Sequence, residues 1–440
     1  MIKKNQKANL DILSLNNDGY GVGKIDNQVV FVPYSLPSEK IEATIINTKN
    51  RFAIGKIDKI VISSTNRVAP LCPYFGKCGG CSLQHLNYSK QLEFKTKLVK
   101  DMLKKFGNIE TEVLPCISSQ QWRYRNKIAI PANSVLGMFR KNSHDIIEID
   151  DCIITQEWVG PLLRAFNKYI REKNIPLYNE QTKQGLIKHL VARSLNNQLL
   201  ITVVITTNNL PNKDKLVEEL TSNFSDFGLN ININKLNNNV ILSNSWKHIY
   251  GLKELKSNDF GISYTISNAS FMQVNDEIKL AIYEKVLSLI TEKETVVDAY
   301  SGAGLLSAIV SKKAKRCYGI EIIKEATENA NYLAKQNNIN NLININGDCG
   351  KELPSLVKRL LNENVAVILD PPRKGCSKSV IESLSLSKPN KIIYISCSPD
   401  TLSRDLKLLL ENNLYKIKFV QPYDMFPNTP HVETIVLLER

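Results

Sequence analysis

The chain lacks any hydrophobic run approaching the ~18 apolar residues that a membrane-spanning helix needs. Its first residues, MIKKNQKANLDILSL, contain no continuous apolar segment and no small-residue cleavage site. These two absences predict a cytoplasmic protein without a membrane partner. Acidic residues are also scarce, since 43 Asp and Glu face 57 Lys and Arg, which leaves a net charge of +14 over 440 residues. That excess favours a polyanionic partner, and nucleic acid is the leading candidate.

The nine cysteines do not predict a disulfide framework, because they are odd in number and the chain is expected in a reducing compartment. Cys72, Cys78 and Cys81 lie within ten residues, next to glycines that would let the backbone wrap a metal centre. A fourth ligand is needed, and Cys116 and Cys152 are the nearest later cysteines. The residues alone allow both a four-cysteine zinc site and a [4Fe-4S] cluster.

Three successive patterns divide the chain. Residues 1–62 alternate short β-rich runs with turn residues, which predicts a small OB-like β-barrel. Residues 63–264 combine a lysine-bearing helix with strand-like runs such as LLITVVIT, so we expect a mixed α+β central domain. Residues 265–440 alternate apolar runs with helix-like stretches, which is typical of a doubly wound, Rossmann-like α/β fold. We take a monomer as the default state.

Acidic residues follow successive apolar runs in the third region. TVVDAYSGAG contains Asp298 and a Gly-x-Gly turn that lets the backbone approach a ligand closely. Glu321 ends the next run, where a carboxylate can accept hydrogen bonds from ribose hydroxyls, and Asp348 is then placed to contact an adenine ring. A dehydrogenase would have a third glycine where Ser307 stands. The pattern therefore favours S-adenosyl-L-methionine over NAD.

Further strand ends bring a thiol and two acids to the same edge. Asp370 begins DPPRKG, Cys397 interrupts ISCSP, and Glu433 precedes IVLLE. Carbon 5 of uracil becomes nucleophilic only after a thiolate adds to carbon 6, an addition that Cys397 can make, and Glu433 can then remove the carbon 5 proton. We expect Arg373 to lower the pKa of the thiol. Activation of the thiol by His431, as in thiol hydrolases, is the alternative, and no oxyanion-hole signal accompanies it.

The runs SNASFMQVN, DAYSGAG, LDPPRKG, ISCSP and HVET resemble, in order and spacing, the motifs of RNA uracil-5-methyltransferases. The resemblance covers nearly the whole chain and implies that Cys397 is the nucleophile and Glu433 the base. It also implies contacts to S-adenosyl-L-methionine from Gln273, Tyr300, Glu321 and Asp370. Phe271 and Asn275 are expected to shape the same pocket. The chain departs from the family pattern at Tyr300-Ser301, where Phe-Cys is frequent.

The same resemblance implies a cluster and a substrate. Members that act on 23S ribosomal RNA carry a [4Fe-4S] cluster on cysteines of this spacing, with a distant fourth cysteine after an acidic-aliphatic stretch, here IIEIDDC. The implied ligands are Cys72, Cys78, Cys81 and Cys152. Relatives that act on transfer RNA usually lack both the cluster and the amino-terminal barrel, which is called a TRAM domain. The implied activity is methylation of carbon 5 of a uridine in 23S ribosomal RNA.

The implied domains are a TRAM domain at 1–62, a cluster-bearing domain at 63–264 and a methyltransferase domain at 265–440. Two other functions stay open: a transfer-RNA enzyme of the same chemistry, and a non-catalytic iron-sulfur protein that binds RNA. The run from 122 to 127, WRYRNK, interleaves aromatic and basic residues in the manner of an RNA contact, with a half-solvated amphipathic strand as the alternative. The remaining cysteines, expected to be packing residues, are Cys116, Cys317, Cys349 and Cys376.

Overall fold

The amino-terminal region of the computed structural model, which describes residues 2–360 and 362–440, is a β-barrel. Its strands are β1 (Lys7–Asp11), β2 (Ser14–Leu15), β3 (Gly21–Ile25), β4 (Gln28–Val32), β5 (Lys40–Thr48) and β6 (Phe52–Ile62). They pair in the order β1-β5-β6-β4-β3-β2. Because β1 and β2 form one bent run, with the Leu13 N–H donating to the Val22 carbonyl at 2.9 Å, the sheet closes on itself. The predicted OB-like barrel is confirmed.

The central region contains a mixed sheet with helices on one face. Its elements are α1 (Tyr88–Met102), β7 (Lys127–Pro131), β8 (Gly137–Phe139), β9 (Ile146–Glu148), α2 (Val159–Glu172), β10 (Ile187–Leu195), β11 (Gln198–Ile205), α3 (Lys213–Thr221), β12 (Phe227–Ile233), β13 (Trp246–Gly251), β14 (Leu255–Asp259) and β15 (Ile262–Ile266). The sheet order is β13-β12-β11-β10-β7. Apolar side chains of α2 and α3, such as Phe166 and Leu216, pack with Ile201 and Val203 of β11. The face of the sheet opposite α2 and α3 is left for contacts with other parts of the chain.

The carboxyl-terminal region is a twisted sheet between two layers of helices. Its elements are α4 (Asp276–Leu289), β16 (Thr295–Ala299), α5 (Leu305–Ser311), β17 (Arg316–Glu321), α6 (Lys324–Gln336), β18 (Leu342–Asn346), α7 (Cys349–Arg359), β19 (Val365–Leu369), α8 (Lys378–Ser387), β20 (Lys391–Ser396), α9 (Pro399–Leu410), β21 (Lys416–Tyr423) and β22 (Glu433–Glu439). Along β19, Val365, Val367 and Leu369 enter one core while Ala366 and Ile368 enter the other. Both faces are covered, which confirms the doubly wound α/β prediction.

The strand order of this sheet is β18-β17-β16-β19-β20-β22-β21. Strands β16 to β20 run parallel, and β22 runs antiparallel to both of its neighbours, β20 and β21. The carboxyl ends of the parallel strands therefore meet at one edge together with the amino end of β22. Within residues 2–360 and 362–440, no helix combines the length and hydrophobicity that crossing a membrane requires.

Two elements inside the predicted central domain, 63–264, pack on the carboxyl-terminal core. Helix α1 buries Val99 and Met102 in the core that contains β19. The hairpin of β14 and β15 buries Leu255 and Ile262 in the core on the other face of the same sheet. The domain boundary at 264 stays a prediction. Apolar residues that precede it pack in the cores on both faces of the carboxyl-terminal sheet.

A buried ion pair joins α1 to the segment between β21 and β22. The ammonium group of Lys95 contacts the carboxylate of Asp424, and both side chains are 0% exposed. The same ammonium donates to the Phe426 carbonyl at 3.0 Å. Since the segment from Asp424 leads directly into β22, this pair holds the chain that delivers Glu433 to the sheet edge.

Replacing Lys95 with Met should lower the free energy of unfolding by about 3–5 kcal/mol, because Asp424 is left buried without its counter-ion. Lys97→Met is the matched control on the same helix. Its pair with Asp101 is solvent-exposed, so the expected loss is at most about 0.5 kcal/mol. Urea denaturation of both variants measures the difference, and equal losses would contradict a structural role for the buried pair.

Candidate active site

The predicted nucleophile and base face each other across two antiparallel strands. The register of β20 and β22 pairs Ser396 with Thr434, so the next residue outward on each strand is Cys397 or Glu433. Cys397 is half-buried, whereas Glu433 is 2% exposed. Helix α9 begins directly after Ser398, so the thiol lies at the start of a helix. The structure thus brings together the two residues that sequence reasoning paired.

The surroundings of Cys397 and Glu433 do not favour the ionised thiol that the sequence analysis expects. Burial, and to a smaller extent the Glu433 carboxylate, raise the pKa of the Cys397 thiol to about 11, against a lowering by Arg373. Burial and then Asp370 raise the pKa of Glu433 well above its usual range, again against Arg373. Arg373 therefore acts in the predicted direction, but the prediction of a lowered thiol pKa is wrong because burial outweighs it. At neutral pH the free site keeps its thiol protonated.

His431 does not have the environment of a general base for the thiol. Burial lowers its pKa, and the nearby cations Arg373 and Lys95 lower it further. Its ring contacts Phe426 edge-on, with centroids 6.0 Å apart. The thiol-hydrolase alternative gains no support from this arrangement.

The glycine turn after β16 faces open space. The N–H groups of Tyr300 and Ser301 both donate to the Ile320 carbonyl at 3.0 Å, and Tyr300 has a φ of 71°. No described atom lies within 4 Å of the position that a Cβ on Gly302 would occupy. The Gly302 N–H donates to the Glu321 carboxylate at 3.0 Å. This turn therefore exposes backbone beside a fixed acid, as a nucleotide-like ligand requires.

Buried acids line the same edge. Burial raises the pKa of Asp370 to about 7 and that of Asp298 to about 7, although the Ser307 hydroxyl, which donates to Asp298 at 2.5 Å, opposes the second shift. Ser307, at the place of a third glycine, thus has a specific partner. The Glu321 carboxylate also accepts from the Ile323 N–H at 2.8 Å. Asp348, by contrast, is exposed and accepts from the Gly350 N–H at 2.9 Å as the N-cap of α7.

The loop between β15 and α4 carries the remaining predicted contacts. Gln273 is half-buried, and Phe271 is 86% exposed. Asn275 is 1% exposed, and its amide donates to the Ser119 hydroxyl at 3.1 Å and to the Met425 carbonyl at 3.4 Å. Asn275 therefore shapes the loop from the protein interior and not from an open pocket.

The side chain of Tyr300 lies near buried cysteines of this domain. Burial raises the pKa of its hydroxyl, and the neighbouring thiols of Cys376 and Cys349 add to the shift. Both of these cysteines are 6% exposed, Cys116 is 7% exposed and Cys317 is 0% exposed. The prediction that these cysteines are packing residues is confirmed.

The four predicted cluster ligands are neighbours in space. Burial, with smaller contributions from Cys152, Cys78 and Cys72, raises the pKa of the Cys81 thiol to about 12, against a lowering by the Gln84 side chain. Among the described residues, however, no three His, Cys, Asp or Glu side chains are grouped closely enough to hold a metal ion. Thiols influence one another electrostatically over distances well beyond the length of a coordination bond, which is ~2.3 Å for zinc and sulfur. The four side chains are therefore near one another without being at coordination distance.

Several side chains of the run from 122 to 127 contact other parts of the protein. Arg123 forms an ion pair with Asp151 at 2.6 Å, and Lys127 donates to the Asn268 carbonyl at 2.9 Å. Tyr124 is 5% exposed and Asn126 is 0% exposed. Burial alternates along the run, because Arg123, Arg125 and Lys127 are only half-buried, which is the pattern of the half-solvated alternative. The RNA contact stays a prediction. The run lies between the segment that carries Cys152 and the loop that carries Gln273.

A separate cleft of about 740 Å³ lies between the helix-free face of the central sheet and the hairpin of β8 and β9. Gly79 and Gly80 of the cysteine loop, Arg140 of the hairpin, and Pro131 and His189 of the sheet line it. Its lining includes Arg140 and Lys141, whose positive charge suits a polyanion such as nucleic acid. Sequence reasoning missed this surface, because its residues come from distant parts of the chain.

Residues 87–440 match the sequence family described as tRNA (Uracil-5-)-methyltransferase, and residues 3–57 match the TRAM domain. The chain belongs to the uracil-5-methyltransferase family. It is 39% identical to an uncharacterized RNA methyltransferase from Clostridium acetobutylicum over 100% of this chain and 98% of that one. A second such relative, from Listeria innocua, is 37% identical over the same shares.

The fold resembles the crystal structure of Pyrococcus abyssi tRNA (uracil-54, C5)-methyltransferase in complex with S-adenosyl-L-homocysteine, with a TM-score of 0.80 and 27% identity. The match covers 98% of this chain and 100% of that one. The family recognition, the fold and S-adenosyl-L-methionine as methyl donor are thereby confirmed for this RNA uracil-5-methyltransferase. The barrel, however, cannot separate ribosomal from transfer RNA substrates, because an enzyme named for transfer RNA matches along its full length.

Replacing Glu433 with Gln should shift the pH profile of Cys397 alkylation to lower pH. The Glu433 carboxylate raises the thiol pKa, so the neutral amide should leave a larger thiolate fraction at pH 9. Arg373→Met should shift the profile to higher pH. Iodoacetamide labelling, followed by mass spectrometry of the peptide that contains Cys397, measures both; shifts of the same sign would refute the assignment of opposing influences.

Proposed function

We propose that this methyltransferase transfers a methyl group from S-adenosyl-L-methionine to carbon 5 of a uridine in 23S ribosomal RNA. The observation that carries the chemistry is the opposition of Cys397 and Glu433 at the end of β20 and β22, beside the open glycine turn. A thiol and a carboxylate on opposing residues of two paired strands can act on adjacent carbons of one pyrimidine ring.

The Cys397 thiol gives its proton to water, the thiolate bonds to carbon 6, and the electron pair of the ring double bond moves to the carbonyl oxygen as an enolate. S-adenosyl-L-methionine would supply the electrophilic methyl group that carbon 5 then takes up, with S-adenosyl-L-homocysteine as the leaving group. Glu433 accepts the proton from carbon 5, the double bond re-forms, and the bond between sulfur and carbon 6 breaks to return the thiolate. A carboxylate with a raised pKa suits this role, because it binds the transferred proton more tightly.

The donor would be held by Gln273, Tyr300, Glu321 and Asp370. Glu321 is the best prepared of them, because two backbone N–H groups already orient its carboxylate at the glycine turn. Its placement supports hydrogen bonds to the ribose of the donor. The buried acid Asp370 lies near Glu433 and Cys397, which supports a position for the donor between the turn and the thiol.

We also propose that Cys72, Cys78, Cys81 and Cys152 hold a [4Fe-4S] cluster. Their mutual electrostatic influence supports a shared centre, and the Gly80 N–H lies 3.3 Å from the Cys78 sulfur, as expected for a thiolate stabilised by backbone donors. The cluster would brace the cysteine loop against the segment of Cys152. Methyl transfer moves no net electrons, so the ligands act on structure and not on the transfer step.

The cysteine set also supports ribosomal RNA as the substrate, through the resemblance of its spacing to that of 23S-specific relatives. Transfer RNA is a second candidate, because the Pyrococcus abyssi enzyme named for transfer RNA aligns over nearly the whole of this chain. A non-catalytic RNA-binding role leaves the pairing of Cys397 with Glu433 unused.

Transcripts of 23S ribosomal RNA and of transfer RNA that contain 5-fluorouridine separate these functions. With the methyl donor present, the 23S transcript should form a covalent complex that survives denaturing electrophoresis, because fluorine on carbon 5 cannot leave as a proton. Cys397→Ala should form none. A complex with transfer RNA alone would establish the second candidate, and methylation of ordinary RNA by Cys397→Ala would exclude the proposed nucleophile.

On ordinary RNA, Glu433→Gln should accumulate the covalent adduct and lose most turnover, because the carbon 5 proton has no acceptor. Glu439→Gln, at the other end of β22, is the matched control and should behave like the unaltered enzyme. Normal release of product by Glu433→Gln would show that another group is the base.

Anaerobically purified protein should contain about four iron and four sulfide per chain, as a [4Fe-4S] cluster has. Cys152→Ser should lose most of both, since it removes the one ligand that lies far along the chain. Cys116→Ser, a change at a buried cysteine outside the group, should keep them. Zinc in place of iron in both preparations would refute the cluster.

A further inference from the structure

Two cations of the central sheet, one buried and one half-buried, hold the loop that carries Gln273. Arg193 of β10, 1% exposed, donates through one terminal nitrogen, Nη1, to the carbonyls of Ser267 at 3.3 Å and Ser270 at 3.0 Å. Lys127 of β7 donates to the Asn268 carbonyl at 2.9 Å. The two cations pair across the strands in the register of β7 and β10. They therefore form one anchor beneath residues 267–270.

Amide side chains extend this anchor in both directions. Asn126 donates through its side chain to the Gln273 carbonyl at 3.2 Å and through its N–H to the Val274 carbonyl at 2.8 Å. From the loop side, the Asn268 amide donates to the Leu200 carbonyl at 3.0 Å and to the Thr202 hydroxyl at 2.8 Å. The main chain of 267–274 is thus bound to strands of the central sheet, although the loop leads into a helix of the methyltransferase region.

Stability alone does not account for these cations. Neither has a carboxylate partner at salt-bridge distance among the described residues, and the Nε of Arg193 is buried without an acceptor there. Burial lowers the pKa of Lys127 to about 8 and that of Arg193 to about 10. Two like charges side by side, one of them fully buried, cost free energy, and apolar residues of the same volume would cost less.

The loop borders the donor site through the helix that follows it. Ile282 of α4 packs in one core with Val296 of β16 and Ile368 of β19, so this helix lies against the strands that deliver Asp298 and Asp370 to the acidic edge. Lys279 of α4 is fixed by Asp259 at 2.7 Å and Asp276 at 3.2 Å. A displacement of 267–274 would therefore move Gln273 relative to those acids.

We propose that Lys127 and Arg193 are positioning residues for the methyl donor, which fix the main chain of 267–274 from the central sheet so that Gln273 meets S-adenosyl-L-methionine. This rests on the proposed contact between Gln273 and the donor. The anchor binds carbonyl oxygens only, so its effect on the donor is one of placement.

The test compares Lys127→Met with Lys188→Met in the full chain. Lys188, on β10 and 8% exposed, also donates to a backbone carbonyl, that of Leu236 at 2.6 Å, but in a different loop. Isothermal titration with S-adenosyl-L-methionine should give a Kd about tenfold higher for Lys127→Met, and a Kd within about twofold of the unaltered protein for Lys188→Met. In methylation assays, KM for the donor should rise more than kcat falls.

Arg193→Met should also weaken donor binding. Arg193→Lys should keep most of the affinity that Arg193→Met loses, because a cation still donates to the loop carbonyls. Asn268→Ala, which cuts the anchor from the loop side, should raise the donor Kd as well and serves if Lys127→Met does not fold. Equal donor affinities for Lys127→Met and Lys188→Met would overturn the inference. Gln273→Ala keeps the two proposals apart: if it leaves the donor Kd unchanged, the proposed contact fails; if it alone weakens binding, only the positioning role fails.

Discussion

The reversed direction of β22 decides where chemistry can take place. In a parallel sheet, the carboxyl ends of the strands meet at one edge, and ligands bind there. Because β22 runs against β20, its first residue reaches that same edge, and the pairing of Ser396 with Thr434 leaves Cys397 opposite Glu433. The thiol, the carboxylate and the glycine turn thus share one edge. The buried pair of Lys95 and Asp424 fixes the segment that makes this pairing possible.

The acids at this edge of the sheet lower the stability of the protein when no ligand is bound. Asp298, Asp370 and Glu433 are acids with pKa values raised by burial, and Arg373 is the cation that opposes their effect on the thiol. The bound donor is a sulfonium cation, and its charge has the sign that favours the ionised form of every one of these acids. Stability given up in the free protein is therefore recovered in part on binding, as functional sites commonly require.

The sequence predicts those parts of the site that follow from strand ends. Asp298, Glu321, Asp370 and Cys397 come directly after apolar runs, and parallel topology brings such positions together. It could not predict whether burial or Arg373 dominates at the thiol, because the depth of a side chain depends on distant packing. Buried cations were missed for the same reason: Lys95, Arg193 and Lys279 resemble surface charges in the sequence. Within WRYRNK, the contacts of Arg123 with Asp151 and of Lys127 with the Asn268 carbonyl could not be predicted, because those partners lie far along the chain.

The helix-free face of the central sheet presents a row of cross-strand pairs: Lys127 with Arg193, Ala129 with Val191, and Pro131 with His189. One end of the row holds the donor loop, and the other end lines the 740 Å³ cleft. Four residues of extended strand separate the ends, a span of roughly 13 Å. The paired strands β7 and β10 therefore fix the distance between the cleft and the anchor of the donor loop. A molecule bound in the cleft lies at that distance from the anchor even when the surrounding loops move.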